Sequence, residues 1–211
     1  MSPGKFITFE GGEGAGKSTQ CTMLAAWLET DGAEVVVTRE PGGTETAEAI
    51  RALLVDGAVE RWDAVSEAML HSAARRAHLV DLVWPALRRG AWVICDRFAD
   101  STMAYQGYAM GLGRAAVETL NQIVLDKFAP DLTFVLDLPI DQGLARAAQR
   151  GGDDRYERMG DAFHQTLRDA FLDIAKREPK RCVVLDGTRS AETVAAAVHA
   201  AVVDRLGTPS S

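Results

Sequence analysis

The chain has little cysteine. Its 211 residues include three, Cys21, Cys95 and Cys182, which lie far apart and form no C-x-x-C pair. A sparse, odd set excludes a disulfide framework and points to reduced thiols and a cytoplasmic setting. Positive charge is also short: 23 Lys and Arg against 30 Asp and Glu leave a net charge of −7. That excludes the broad basic footprint of a nucleic-acid-polymer binder, while a local basic pocket for a small anion stays possible. No apolar run approaches the roughly 20 residues of a membrane span. The opening Met1-Ser2-Pro3-Gly4-Lys5 carries no signal-like apolar core. Internal repeats and low-complexity linkers are missing as well, so residues 1–211 are expected to form a single domain, with a frayed tail over about 207–211.

What is present is a core-forming composition, 47% apolar, and one motif that organises the rest. Gly11-Gly12-Glu13-Gly14-Ala15-Gly16-Lys17-Ser18 matches G-x-x-x-x-G-K-[ST] at every fixed position, and Thr19 follows. Phe6-Ile7-Thr8-Phe9 before it reads as a short buried strand, and Ser18 to Leu28 after it as a helix. Strand, glycine loop and helix make an anion site. Glycines bring backbone N–H groups close to phosphate, and the positive helix end points at the same charge. Lys17 adds a mobile cation, and the Ser18 hydroxyl is suited to Mg²⁺.

Four more strands are expected: Glu34–Thr38, Ala91–Cys95, Leu132–Leu136 and Arg181–Leu185. Helical patterns alternate with them, predicting an α/β fold with a five-stranded parallel sheet covered on both faces. Thr44 is placed to cap a helix reaching about Val55. Another is predicted over about Asp63–Trp84, where Pro85 should bend or end it. On that helix Glu67, His71, Arg75 and His78 form a polar stripe, which by spacing alone reads as a solvated face rather than a cleft wall. Arg39-Glu40-Pro41 and Asp96-Arg97 fall at strand ends, where open parallel sheets bind ligands. Asp96 suits management of a nucleotide-bound Mg²⁺, and the planar fork of Arg97 suits a phosphate. Gln106 offers an amide able to read a base edge. Arg146, Arg150 and Arg155 flank the Gly151-Gly152 joint. They read equally as a closing lid, over about 146–157, or as an ordinary surface loop.

Taken together, Phe9–Thr19, Thr38-Arg39-Glu40-Pro41-Gly42-Gly43-Thr44, Asp96-Arg97-Phe98 and Asp100–Gly107 resemble the bacterial thymidylate kinases, a P-loop nucleoside monophosphate kinase family. The resemblance runs from about Lys5 to Leu206. It implies transfer of phosphate from MgATP to dTMP, a P-loop kinase fold and a homodimer. It implies that Gly11 to Thr19 hold ATP and that Ser18 and Asp96 serve the metal. Glu13, Arg39, Glu40, Pro41, His71, Arg75, Arg97, Thr102, Tyr105 and Gln106 would bind dTMP. Lys17, Arg97, Arg150 and Arg155 would be catalytic, with Arg146 as a third lid arginine. His71 stands where the family usually has a thymine-stacking Phe; an imidazole can still stack, and its protonation could make base binding pH-sensitive. Met110 and Ala148 depart from basic positions of relatives. The His71 change keeps open a kinase for another pyrimidine monophosphate, dUMP or dCMP. A non-catalytic nucleotide-dependent binder is a third reading, although the N-K-x-D motif of guanine-specific switches is absent.

Overall fold

A computed structural model describes residues 4–149, 151 and 155–208. Five strands form one parallel sheet in the order β2-β3-β1-β4-β5: β1 Phe6–Glu10, β2 Val35–Arg39, β3 Trp92–Asp96, β4 Leu132–Asp137 and β5 Cys182–Asp186. Side-chain alternation splits the core between the two faces of the sheet. Ile7, Phe9, Ile94 and Phe134 pack with Leu24 and Leu28 of α1 (Lys17–Thr30) and Val198 and Val202 of α9 (Ala191–Leu206). Phe6, Val93 and Cys95 face the other way, against Leu79, Val83 and Phe98. The three inner strands are almost wholly buried, while the edge strands β2 and β5 are only half covered.

Register brings the site together. Phe9 pairs with Asp96, and Asp96 with Arg39, so β1, β3 and β2 end level. The chain reverses direction across the sheet between β1 and β3, and the crevice beyond that switch point is the ligand side of an open α/β sheet. The glycine loop crosses it at close quarters. Gly14 has φ +67°, and a Cβ there would lie 2.0 Å from the Gly143 carbonyl oxygen. Gly143 sits in α7 (Ile140–Gln149), and its own Cβ would lie 2.5 Å from the Glu13 oxygen. Only two glycines let these backbones meet.

The helix after Thr44 is α2, Glu45–Val55, with the Thr44 hydroxyl accepting from the Ala47 N–H. The next one runs past the end expected from the sequence. Helix α3 spans Ala64–His78, but the chain continues through a wide turn at Leu79–Val83 into α4, Trp84–Arg88. Pro85 does not end it. The Trp84 N–H reaches back five residues to the Leu79 carbonyl, and the widened turn accommodates a residue without a donor at the start of α4. A second wide turn, Met103–Ala109, follows α5 (Ala99–Thr102) and was not legible in the sequence. It carries Tyr105 and Gln106. The remaining helices are α6, Arg114–Leu125, and α8, Asp161–Arg177.

Candidate active site

Helix α1 begins immediately after Gly16, whose φ of +94° turns the chain, and no side chain caps its first turn. No acidic residue occupies that turn either, so its N–H groups and its dipole are left for an anion. The Lys17 amino group is bent back onto the loop, donating to Gly12 O at 2.8 Å and Gly11 O at 3.2 Å. Burial and the neighbouring Arg97 lower its pKa, against the opposing pull of Glu13, Asp96 and Glu10. The Ser18 hydroxyl donates to Asp96 Oδ2 at 2.5 Å.

Beside the loop lies a cleft of about 560 Å³, a size suited to one small ligand. Every residue named above for the second substrate lines it: Glu13, Arg39, Glu40, Pro41, His71, Arg75, Arg97, Thr102, Tyr105 and Gln106. Lys17, Ser18 and Asp96 line it too. Phe98 and Ser101, which the signature stretches contain without an assigned role, also do, as do Arg51 and Tyr156, which sequence reasoning missed. Arg51 gave no signal beyond a helical arginine; it donates through Nη1 to the Pro41 carbonyl at 2.8 Å.

Arg97 is held in the left-handed region, φ +70°, a conformation that costs a non-glycine residue on the order of 1–3 kcal/mol. The return is a fixed guanidinium. It donates to Gly11 O at 3.0 Å, Ser101 Oγ at 3.2 Å and Glu13 Oε1 at 2.7 Å, and lies over the Tyr105 ring. Burial alone would weaken its charge, but Tyr105, Glu13, Asp96 and Glu10 outweigh that and raise its pKa. Burial likewise works against ionisation of Glu13, yet Arg97, Lys17 and the Tyr105 hydroxyl (2.5 Å) bring its pKa down to about 2. That ion pair stabilises the fold above the ordinary value of 4.5 and is lost as pH falls through about 2. Glu10 behaves oppositely. Burial, then Asp100, push it up to about 8, although it accepts from Phe98 N and Ser101 Oγ. The folded state therefore keeps a proton that the unfolded chain releases, and stability falls as pH rises from 4.5 to about 8.

The stripe on α3 is not solvated. Glu67 and His78 are 0% exposed and Arg75 is 2% exposed, because α2, α6 and the Met103–Ala109 turn pack against this helix; of the four, His71 and Arg75 line the cleft. Arg75 donates through Nε to Glu40 Oε2 at 2.7 Å and through Nη2 to Thr102 Oγ1 and Phe98 O. His78 ties Glu40 Oε1 to Thr38. Two cleft residues each retain one buried polar atom with no partner among the described residues: Arg75 Nη1 and Gln106 Oε1. His71 contacts the Tyr156 hydroxyl at 3.1 Å. Burial, then Arg75, Arg155, Arg97 and Arg51, lower its pKa to about 3. At that value the imidazole is neutral across the working range, so base binding is expected not to follow its protonation. Replacing His71 with Phe should leave the shape of the KM–pH profile for dTMP unchanged between about pH 5.5 and 8. Steady-state assays across that range check this, and a His71-dependent inflection near pH 6 would contradict it. The same shift costs stability in acid, since the unfolded chain binds a proton below 6.5 that the folded chain refuses until about 3.

Arg155 is also corrected. The resemblance makes it a catalytic lid arginine, but it is fully buried, paired with Glu67 and bonded to Leu54 O and Val59 O, and it does not line the cleft. A guanidinium so enclosed keeps its charge only with a counterion, which Glu67 supplies. Arg146 is directed to Gly187 O at 3.2 Å. Arg150 lies outside the described residues.

A parallel sheet, a glycine phosphate loop and an arginine-lined cleft at the strand ends define a P-loop phosphotransferase. The thymidylate kinase family model matches residues 9–198. A thymidylate kinase of Caulobacter vibrioides is 53% identical over 98% of this chain and 100% of its own length. One from Chromohalobacter salexigens is 48% identical over 98% of each chain. The crystal structure of thymidylate kinase from Ehrlichia chaffeensis superposes with a TM-score of 0.76 at 38% identity, covering 95% of this chain and 99% of that one. The chain belongs to the thymidylate kinase family.

Proposed function

We propose that the chain transfers the γ-phosphoryl group of MgATP to dTMP, giving dTDP and ADP for dTTP synthesis, and that the cleft described above is the dTMP site. The observation that carries the choice of acceptor is the buried pair Arg75 Nη1 and Gln106 Oε1, one donor and one acceptor without partners among the described residues. Thymine presents the complement at its O4 and N3–H. Cytosine reverses both, placing donor against donor and acceptor against acceptor. dUMP shares the thymine edge, so this pair separates thymine and uracil from cytosine. The expected result is a kcat/KM for dTMP about 10³-fold or more above that for dCMP, since unpaired buried groups penalise the wrong base. An ADP-release assay across nucleoside monophosphates measures it. Comparable turnover of dCMP would refute the assignment, and ATP binding without transfer to any monophosphate would favour the non-catalytic binder.

Phosphoryl transfer needs positioning and charge neutralisation more than covalent help. The anionic phosphate of dTMP attacks in line and needs no general base. Arg97, and Arg39 at the mouth, would grip that phosphate. The loop N–H groups and Lys17 would hold the donor. Ser18 Oγ and the Asp96 carboxylate form a hard-oxygen pair that fits Mg²⁺. When bound, the ion would supply charge neutralisation for the transferring phosphates. Glu13 holds Arg97 and Tyr105 in place through Oε1.

The same reading takes residues 1–211 as one kinase domain working in the cytoplasm. All three cysteines are buried and free, and among the described residues no helix is long and apolar enough to cross a membrane. It also takes the enzyme as a homodimer. Helix α3 exposes Val65 and Met69, and α6, packed beside it, exposes Ile123 at 74%. Sedimentation at micromolar protein should show a dimer; a monomer at that concentration would remove this part of the reading.

A further inference from the structure

We propose that Glu67 is a positioning residue that sets the orientation of the Gln106 side-chain amide, and thereby decides which pyrimidine edge the cleft accepts. The inference rests on the reading of the cleft as a pyrimidine monophosphate site. An amide can turn either end toward a ligand, so Gln106 by itself is an ambiguous reader. Glu67 removes the ambiguity. Its Oε1 accepts from Gln106 Nε2 at 2.7 Å and from the Tyr156 hydroxyl at 2.9 Å. Its Oε2 accepts from Arg155 Nη2. A carboxylate ion-paired in this way offers only acceptors, so the NH₂ end of Gln106 must face it and the amide oxygen is left for the base. No other partner among the described residues holds that oxygen.

Glu67 is itself immobilised. It is 0% exposed, and its counterion is tied to Leu54 O, at the end of α2, and to Val59 O. Tyr156 packs edge-on against Tyr105, ring centroids 5.2 Å apart. The Arg155 that leaves the cleft thus acts on it indirectly, by fixing the group that fixes Gln106.

The experiment compares kcat/KM for dTMP and dCMP in wild type, Glu67→Gln and the exchange variant Glu67→Gln/Gln106→Glu. Glutamine at 67 can donate or accept, so the Gln106 amide is free to turn. The preference for dTMP over dCMP is expected to fall about tenfold or more, mainly through a higher KM for dTMP, with kcat changed less than about threefold. The exchange variant should recover the preference, because a carboxylate at 106 presents an acceptor oxygen however it rotates. Glu67→Gln with a lowered melting temperature and an unchanged base preference would overturn the proposal and leave Glu67 structural only. Should the buried substitution prevent folding, NMR of the wild-type enzyme decides. The Gln106 side-chain NH₂ pair, assigned by its loss in Gln106→Met, is expected to be downfield-shifted and slow to exchange. A solvent-like, rapidly exchanging pair would refute the proposal. Failure of wild type to phosphorylate dTMP would instead strike the substrate reading, and the NMR result would stand apart from it.

Discussion

Lys17→Ala is expected to lower kcat by about 10³-fold, close to 4 kcal/mol of transition-state stabilisation. The lysine begins α1 directly after the glycine loop, and its amino group is held by two loop carbonyls. Those carbonyls are weak partners for a cation. Reaching a polyphosphate exchanges them for a full negative charge, and the interaction strengthens as charge spreads in transfer. The loss should therefore appear in kcat more than in the KM for dTMP. Thermal stability should change little, because burial and Arg97 already disfavour the charged lysine in the folded state. Single-turnover phosphorylation with a parallel melting curve checks both, and turnover within tenfold of wild type would remove Lys17 from the chemistry.

Arg97→Gly is expected to lose about 10³-fold in kcat/KM for dTMP while leaving the melting temperature within a few degrees of wild type. The activity loss follows from geometry. Arg97 carries the fixed guanidinium between the loop, Glu13 and the cleft. Glycine cannot replace its charge, and Glu13 would lose the partner that holds its carboxyl so far down. Stability is balanced by an opposing gain. A backbone at φ +70° suits glycine, and relief of roughly 1 kcal/mol or more offsets part of the lost ion pair. Arg97→Ala lacks that relief and should melt lower than Arg97→Gly. A glycine variant that retains activity, or melts far below the alanine variant, would show that Arg97 is not held for function at a conformational cost.

Much of the site was readable in advance because its parts are local. A glycine loop between a buried strand and a helix is a nearest-neighbour pattern, and the residues after β2 and β3 follow directly from where the strands stop. His71, Arg75 and Glu67 were harder. An i, i+4 polar stripe has the same spacing whether it faces water or a cleft, and only the elements packed opposite it decide. Arg155 failed for a related reason. An arginine beside glycines looks mobile in one dimension, yet Glu67, 88 positions earlier, encloses it. The wide turns at Leu79–Val83 and Met103–Ala109 carry no sequence signature of their own, since one extra residue per turn depends on what the helix must pack against.

By itself, then, the sequence determined the strand–helix alternation, the phosphate loop, the strand-end charges and the family, all of which depend on residue type at short spacing. Only the tertiary structure decided that the α3 stripe is buried, that His71 is neutral, and that Arg155 is turned inward. It alone left Arg75 and Gln106 each with one polar atom unmatched by the described residues. Burial and charge pairing are properties of groups distant along the chain and close in space, and they are set when the sheet register and the packing of α3 bring those groups together.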